Sequence, residues 1–149
     1  MKRPLGLSWL WLGWILLTLF FWWAWNFLAS RNPTYAAERL LWPAQIAAER
    51  ISKDPDSAPA AQVEKILLKL RQVIQRYPGS NSAARAQLLI GGIHATRKEY
   101  AAAHEAFQRV LSDYPTRSIH VITAYRVIAR TYMNQKAWGK VLETYRTML

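Results

Sequence analysis

The residues able to do chemistry are few: three histidines (His94, His104 and His120), nine acidic side chains, scattered serines and no cysteine. Their spacing assembles no catalytic group. His104 is followed by Glu105, His120 has no carboxylate at a helical spacing, and three dispersed histidines without cysteine do not make a metal site. No serine is matched with a His and an Asp as a nucleophile and its base would be. Gly91-Gly92 falls inside an apolar, helix-periodic segment, so it reads as a packing notch and not as a phosphate loop. No enzyme activity, cofactor or metal is therefore expected. The lack of cysteine also removes disulfides and a lipid-attachment site, and it leaves the compartment open.

Binding chemistry is better represented. The protein has 20 Lys and Arg against 9 Asp and Glu, a net charge of +11. Such a surface suits anionic lipid or an acidic partner. Nucleic acid is not expected, because the aromatic residues follow core spacing and do not interleave with the basic ones. Arg126 and Arg130 stand four apart, hence on one face of a helix. Guanidinium groups so placed suit the carboxylates of an acidic peptide or a free C-terminus, the alternative being solvated arginines on an outer face. A second surface is the bulky stripe Leu7, Trp11, Trp14, Thr18, Phe21, Trp22 and Trp25, at three-and-four spacing. Lipid-facing belts explain its ends; its continuation through Thr18 and Phe21, from Trp11 to Trp25, suits contact with other transmembrane helices, or with an apolar cofactor that they hold, the alternative being a face turned to lipid throughout. Gly6 and Gly13 are seven apart, so no GxxxG pattern favours self-dimerisation.

The element that must carry this stripe is the uncharged run from Pro4 to Ser30. At 1.5 Å per residue, Leu5 to Ala29 would span roughly 37 Å, more than the ~30 Å hydrocarbon core. Six of the eight Trp lie here, in two clusters around a Leu/Ile-rich centre, as expected for aromatic belts at two interfaces. A cleaved signal peptide would have a shorter apolar region, and the triplet Thr34-Tyr35-Ala36 is a poor cleavage site. An uncleaved anchor over residues 1–30 is expected. Lys2 and Arg3 precede the run and only Arg31 closely follows it, which favours a cytoplasmic N-terminus. The remainder would then lie in the periplasm, at the inner membrane of a bacterium.

Residues 31–58 read as a connector with short helices. Thr34 is placed to cap a helix from Tyr35 to Leu41, Pro43 should interrupt it, and Ala44 to Ile51 should resume. The run Asp54-Pro55-Asp56-Ser57 is a turn, with Asp56 or Ser57 placed to cap the next helix. From residue 59 onward apolar residues recur at three and four. Breaks fall at Tyr77-Pro78-Gly79-Ser80, near Arg97-Lys98, at Tyr114-Pro115-Thr116 and near Gln135-Lys136. These features repeat. Ile66, Leu70 and Pro78 return 37 residues later as Ala103, Phe107 and Pro115, and Gly91, Ala103 and Phe107 return 38 later as Ala129, Val141 and Tyr145. Such a period means stacked helix pairs. Gly91 is expected to let two helices approach and Phe107 to fill the space between them.

The residues Ile90-Gly91, Ala103, Phe107 and Pro115, and then Tyr125, Ile128, Ala129, Tyr132 and Tyr145, resemble the tetratricopeptide (TPR) repeat. The departures are Gln87, His94 and Val141, where Trp, Tyr and Ala are usual, and a period longer than the common one. The Tyr-Pro-x-x-Ser ends are similar to the long units of bacterial envelope proteins, such as the Tol–Pal accessory protein and the barrel-assembly lipoprotein. The resemblance implies that His94 packs inward. It also implies that Arg85, Arg126 and Arg130 lie on first helices lining a concave groove. The expected fold is all-α: a single transmembrane helix, then a short TPR-like α-solenoid over 59–149, about two and a half units. The last unit lacks its terminating proline and ends on Thr147-Met148-Leu149 without a polar cap, so this end should either dock on another protein or belong to a shortened form. The expected function is a membrane-anchored scaffold binding other protein subunits, integral membrane ones among them. The alternative is a basic tether to anionic lipid with the solenoid as spacer.

Overall fold

Proline, glycine and serine mark most of the points where one helix gives way to the next. The computed structural model describes residues 8–31, 33–54 and 58–149, with side chains from residue 13 to 27 in the first stretch and throughout the other two. Among the described residues there are seven helices and no strand: α1 (Ser8–Arg31), α2 (Pro33–Lys53), α3 (Ala60–Arg76), α4 (Asn81–Thr96), α5 (Tyr100–Asp113), α6 (Ser118–Asn134) and α7 (Trp138–Met148). The all-α class is as expected. The protein divides into two units, Met1–Ala36 and Ala37–Leu149.

The first unit contains α1. Its side chains from Gly13 to Phe27 carry no charge, and all but Ala24 are exposed. Trp23 stacks on Phe27 at 5.4 Å, and Thr18 Oγ1 donates back to the Ile15 carbonyl at 2.9 Å. Among the described residues no helix is long and apolar enough to cross a membrane, so the expected transmembrane assignment is not supported there. Lys2, Arg3, Leu7, Asp56, Ser57 and the side chain of Trp11 lie outside the described residues.

In the second unit, α2 departs from expectation. One helix runs through Pro43 where two short ones are predicted. An interior proline leaves the carbonyl four residues back, here that of Arg39, without its donor, at a cost of about 3 kcal/mol. Burial of Ala37, Leu41, Ala44, Ala48 and Ile51 offsets it, since each large apolar side chain is worth roughly 1.5–3 kcal/mol. Pro43 itself is on the exposed side. Tertiary packing here overrides the local signal.

The core that α2 joins is formed with Val63, Ile66, Leu67, Leu70 and Val73 of α3 and Ala86, Ile90 and Ile93 of α4. From there each helix packs on the next in sequence: α3 on α4, α4 on α5, α5 on α6 and α6 on α7, with α4 also meeting α6. This is an α-solenoid-like succession. The helix breaks fall at the expected places, and their hydrogen bonds repeat with the sequence. Tyr77 and Tyr114 each donate N–H to the carbonyl four residues back, at 3.0 and 3.2 Å, and Ser80 and Arg117 donate to those tyrosines' carbonyls at 3.2 and 3.0 Å. Ser80 also caps α4, its Oγ accepting from the Ala83 N–H at 3.0 Å; the side group of Arg117, its counterpart, does not cap α6.

The other two turns are a matched pair. Lys98 (φ 61°) and Lys136 (φ 58°) adopt the left-handed conformation after α4 and α6. Glu99 N–H reaches the His94 carbonyl and Ala137 N–H that of Tyr132, both at 2.9 Å. Lys98 and Lys136 N–H reach Ala95 and Met133 at 3.0 and 2.9 Å. This double pattern is the Schellman helix end. Between α4 and α5, Gly91 lies against the ring of Phe107, as its spacing predicts. A Cβ there would come within 2.6 and 2.8 Å of ring carbons Cδ1 and Cζ. Ala103, Phe107 and Ile128 then form a second cluster joining α5 to α6. At the α7 end, Trp138, Leu142 and Tyr145 stay exposed.

Candidate functional site

The N-terminal portions of α2, α4 and α6 converge on a cleft of about 420 Å³, lined by Glu38, Asn81, Arg85, Arg117, Ser118, Ile119 and His120. Each lining residue arrives there for a local reason. Pro78-Gly79-Ser80 ends one helix and starts α4, which places Asn81 and Arg85 on its first two turns, and Pro115 does the same for Arg117 to His120 at α6. Glu38 is brought in by α2, whose Leu41 and Ala44 are pinned in the core.

The polar contacts in this cleft are long-range in sequence. Arg85 Nη1 lies 3.4 Å from Glu38 Oε2, and Nη2 donates to Gln45 Oε1 at 2.6 Å. Ser82 Oγ donates to the other oxygen of Glu38 at 2.9 Å. Arg117 Nη2 donates to the Gly79 carbonyl at 3.0 Å, tying one turn of the solenoid to the preceding one. His120 titrates below the ordinary histidine range, chiefly because it is partly buried and further because Arg85 and Arg117 are near. Neutral imidazole beside two guanidiniums and one carboxylate makes a cleft with a residual positive charge. It can hold an anion. It has no nucleophile–base pair.

The expected partner-binding arginines are therefore split. Arg85 enters the cleft but is already held by Glu38 and Gln45 from α2. Arg126 and Arg130 are exposed on α6, do not line this cleft, and make no ion pair or hydrogen bond among the described residues. The cleft residues Glu38, Arg117 and His120 are not legible from spacing, since Glu38 on α2 lies 79 positions before Arg117 at the start of α6. The only hint is that Arg117 sits at the position of the capping Ser80, where a long cation is unusual.

The other histidines have structural partners. His94 Nδ1 lies 2.6 Å from Glu99 Oε2, and Arg97 Nε donates to Glu99 Oε1 at 2.9 Å, so the α4–α5 turn is tied by three side chains. The bond from His94, and then that from Arg97, holds the Glu99 carboxyl below the usual range. His104 bonds Thr131 Oγ1 and rests on the Tyr132 ring, with centroids 4.2 Å apart, across the α5–α6 interface. Burial, and secondarily Lys140, lowers its pKa. Gln87, where the repeat pattern has Trp, is buried and donates to the Ala106 carbonyl at 3.2 Å. No group of three metal-ligating side chains occurs among the described residues. On α1, Trp14, Phe21, Trp22 and Trp25 are all exposed, and Thr18 is turned back on its own helix.

In comparisons with known proteins, no family model, curated protein or solved structure matches this sequence.

Proposed function

We propose that this protein is a membrane-anchored scaffold of TPR type, presenting two and a half helix pairs that bind and help assemble other protein subunits at a bacterial inner membrane. In this reading α1 is the anchor, the N-terminus is cytoplasmic and the repeats are periplasmic. The observation that carries the scaffold reading is the repetition of one hairpin geometry, with paired Schellman ends at Lys98 and Lys136 and neighbour-on-neighbour packing. Such solenoids expose extended concave faces suited to binding. The anchor reading is supported by the 24-residue helix α1 and its exposed, uncharged Trp- and Leu-rich surface. Arg126 and Arg130, exposed and unpaired among the described residues, are the groups offered to an acidic peptide or C-terminal carboxylate of the partner.

Extraction in mild detergent followed by mass spectrometry of the co-purifying proteins tests this. The paired substitution Arg126→Glu and Arg130→Glu should remove one specific subunit and leave membrane attachment unchanged. An identical set of co-purifying proteins from the wild type and the double variant would exclude the arginines as the recognition site.

A further inference from the structure

Helix α2 has two apolar stripes, and only one of them is used by the fold. Ala37, Leu41, Ala44, Ala48 and Ile51, at spacings of four and three, are buried. Arg39, Trp42, Ile46, Arg50 and Lys53 follow the same spacing on the opposite face, and all five are exposed. Trp42 is 60% exposed and Ile46 42% exposed. Two large apolar side chains one turn apart, left in water on a helix already anchored by its other face, call for an occupant.

The flanking charges say which. Arg39 stands one turn before Trp42, and Arg50 and Lys53 follow Ile46. None of the three forms an ion pair among the described residues. Of the nearby acids, Glu49 accepts a hydrogen bond from Gln45 Nε2 at 2.8 Å, and Asp54, which follows Lys53, gives its backbone N–H to the Arg50 carbonyl at 3.1 Å. A tryptophan and an isoleucine framed by free cations is the composition of a helix lying in the headgroup layer. There the indole spans the polar boundary, and each basic residue near an anionic leaflet strengthens binding by roughly fivefold. The length of the link agrees. Arg31, the last residue of α1, is eight residues from Arg39, so the stripe begins no more than about 28 Å along the polypeptide from that helix end. We propose that the Arg39–Trp42–Ile46–Arg50–Lys53 face of α2 docks on the surface of an anionic bilayer, which would fix the repeats against the membrane. This rests on the reading of α1 as the anchor.

The absence of native cysteine allows a direct test. A nitroxide is attached to the full-length protein at Ile46→Cys, or at the exposed α5 position Ala101→Cys as a control, and each is reconstituted into phosphatidylglycerol-containing or pure phosphatidylcholine vesicles. Collision with oxygen against a water-soluble nickel complex reports burial in lipid, and flotation after an alkaline wash reports insertion. At Ile46 the label should be oxygen-accessible and shielded from nickel in the anionic vesicles only, and Arg39→Glu with Arg50→Glu should abolish that shielding without affecting flotation. Ala101 should stay open to nickel throughout. A floating protein whose Ile46 label remains nickel-accessible overturns the lipid face and leaves the anchor standing. Shielding at Ile46 in a protein stripped by the alkaline wash supports the lipid face and overturns the anchor. Shielding in both lipids with spin–spin broadening means that a second copy covers the face, which also overturns the proposal.

Discussion

A methyl group added at Gly91 would run into the Phe107 ring, which is 1% exposed and has no room to swing aside. Gly91→Ala should therefore destabilise the fold by about 1–3 kcal/mol, as other overpacking changes do. Gly92, its neighbour, meets nothing within 4 Å. Gly92→Ala should stabilise by up to about 1 kcal/mol, because it removes a flexible residue from the middle of α4. Urea denaturation of the two variants beside the wild type checks both signs. The Gly91–Phe107 contact is readable from sequence because it recurs in the repeat. The Glu38–Arg85–Gln45 set is not, since Arg85 lies 47 positions from Glu38 and a solitary arginine looks the same whether solvated or held.

At the scale of the element, the Tyr-Pro turns at Pro78 and Pro115 announce themselves, and their positions are legible to within a residue. The two Schellman ends are only approximately so, because lysine occupies the left-handed position that glycine usually fills. A non-glycine residue there costs roughly 1–2 kcal/mol. Lys98→Gly and Lys136→Gly should each raise stability by about 0.5–1 kcal/mol after the extra unfolded-state entropy of glycine is subtracted. Thermal melts of the single and double variants should show near-additive gains, since the two turns share no partner. Helix α2 fails in the opposite direction. Its proline is a strong local stop signal, and only the buried stripe on its other face, which needs α3 and α4 to become buried, carries the helix through.

Taken whole, the repeat domain should lose stability in weak acid. His104 and His120 have folded pKa values below the ordinary 6.5, so the folded state holds fewer protons than the unfolded one once the pH drops to that range. Their contribution is present above about pH 6.5 and disappears as the pH falls through the lowered values. Glu99 acts further down, its contribution present above its ordinary value of 4.5 and lost below that as the carboxyl protonates. Melting temperature should thus fall between pH 7.5 and 5.5, and the paired change His104→Gln and His120→Gln should flatten that segment while leaving the steeper loss below pH 4.5.

The hand-over of each helix to the one after it, from α3 through α7, bears on how the polypeptide reaches its native form. Contacts between sequence neighbours carry little loop-closure cost, and proteins built from them fold in microseconds to milliseconds. Every hairpin needs only its predecessor as a template. The repeats can therefore assemble in order, from the amino end, while synthesis is still under way and before the last residues have emerged.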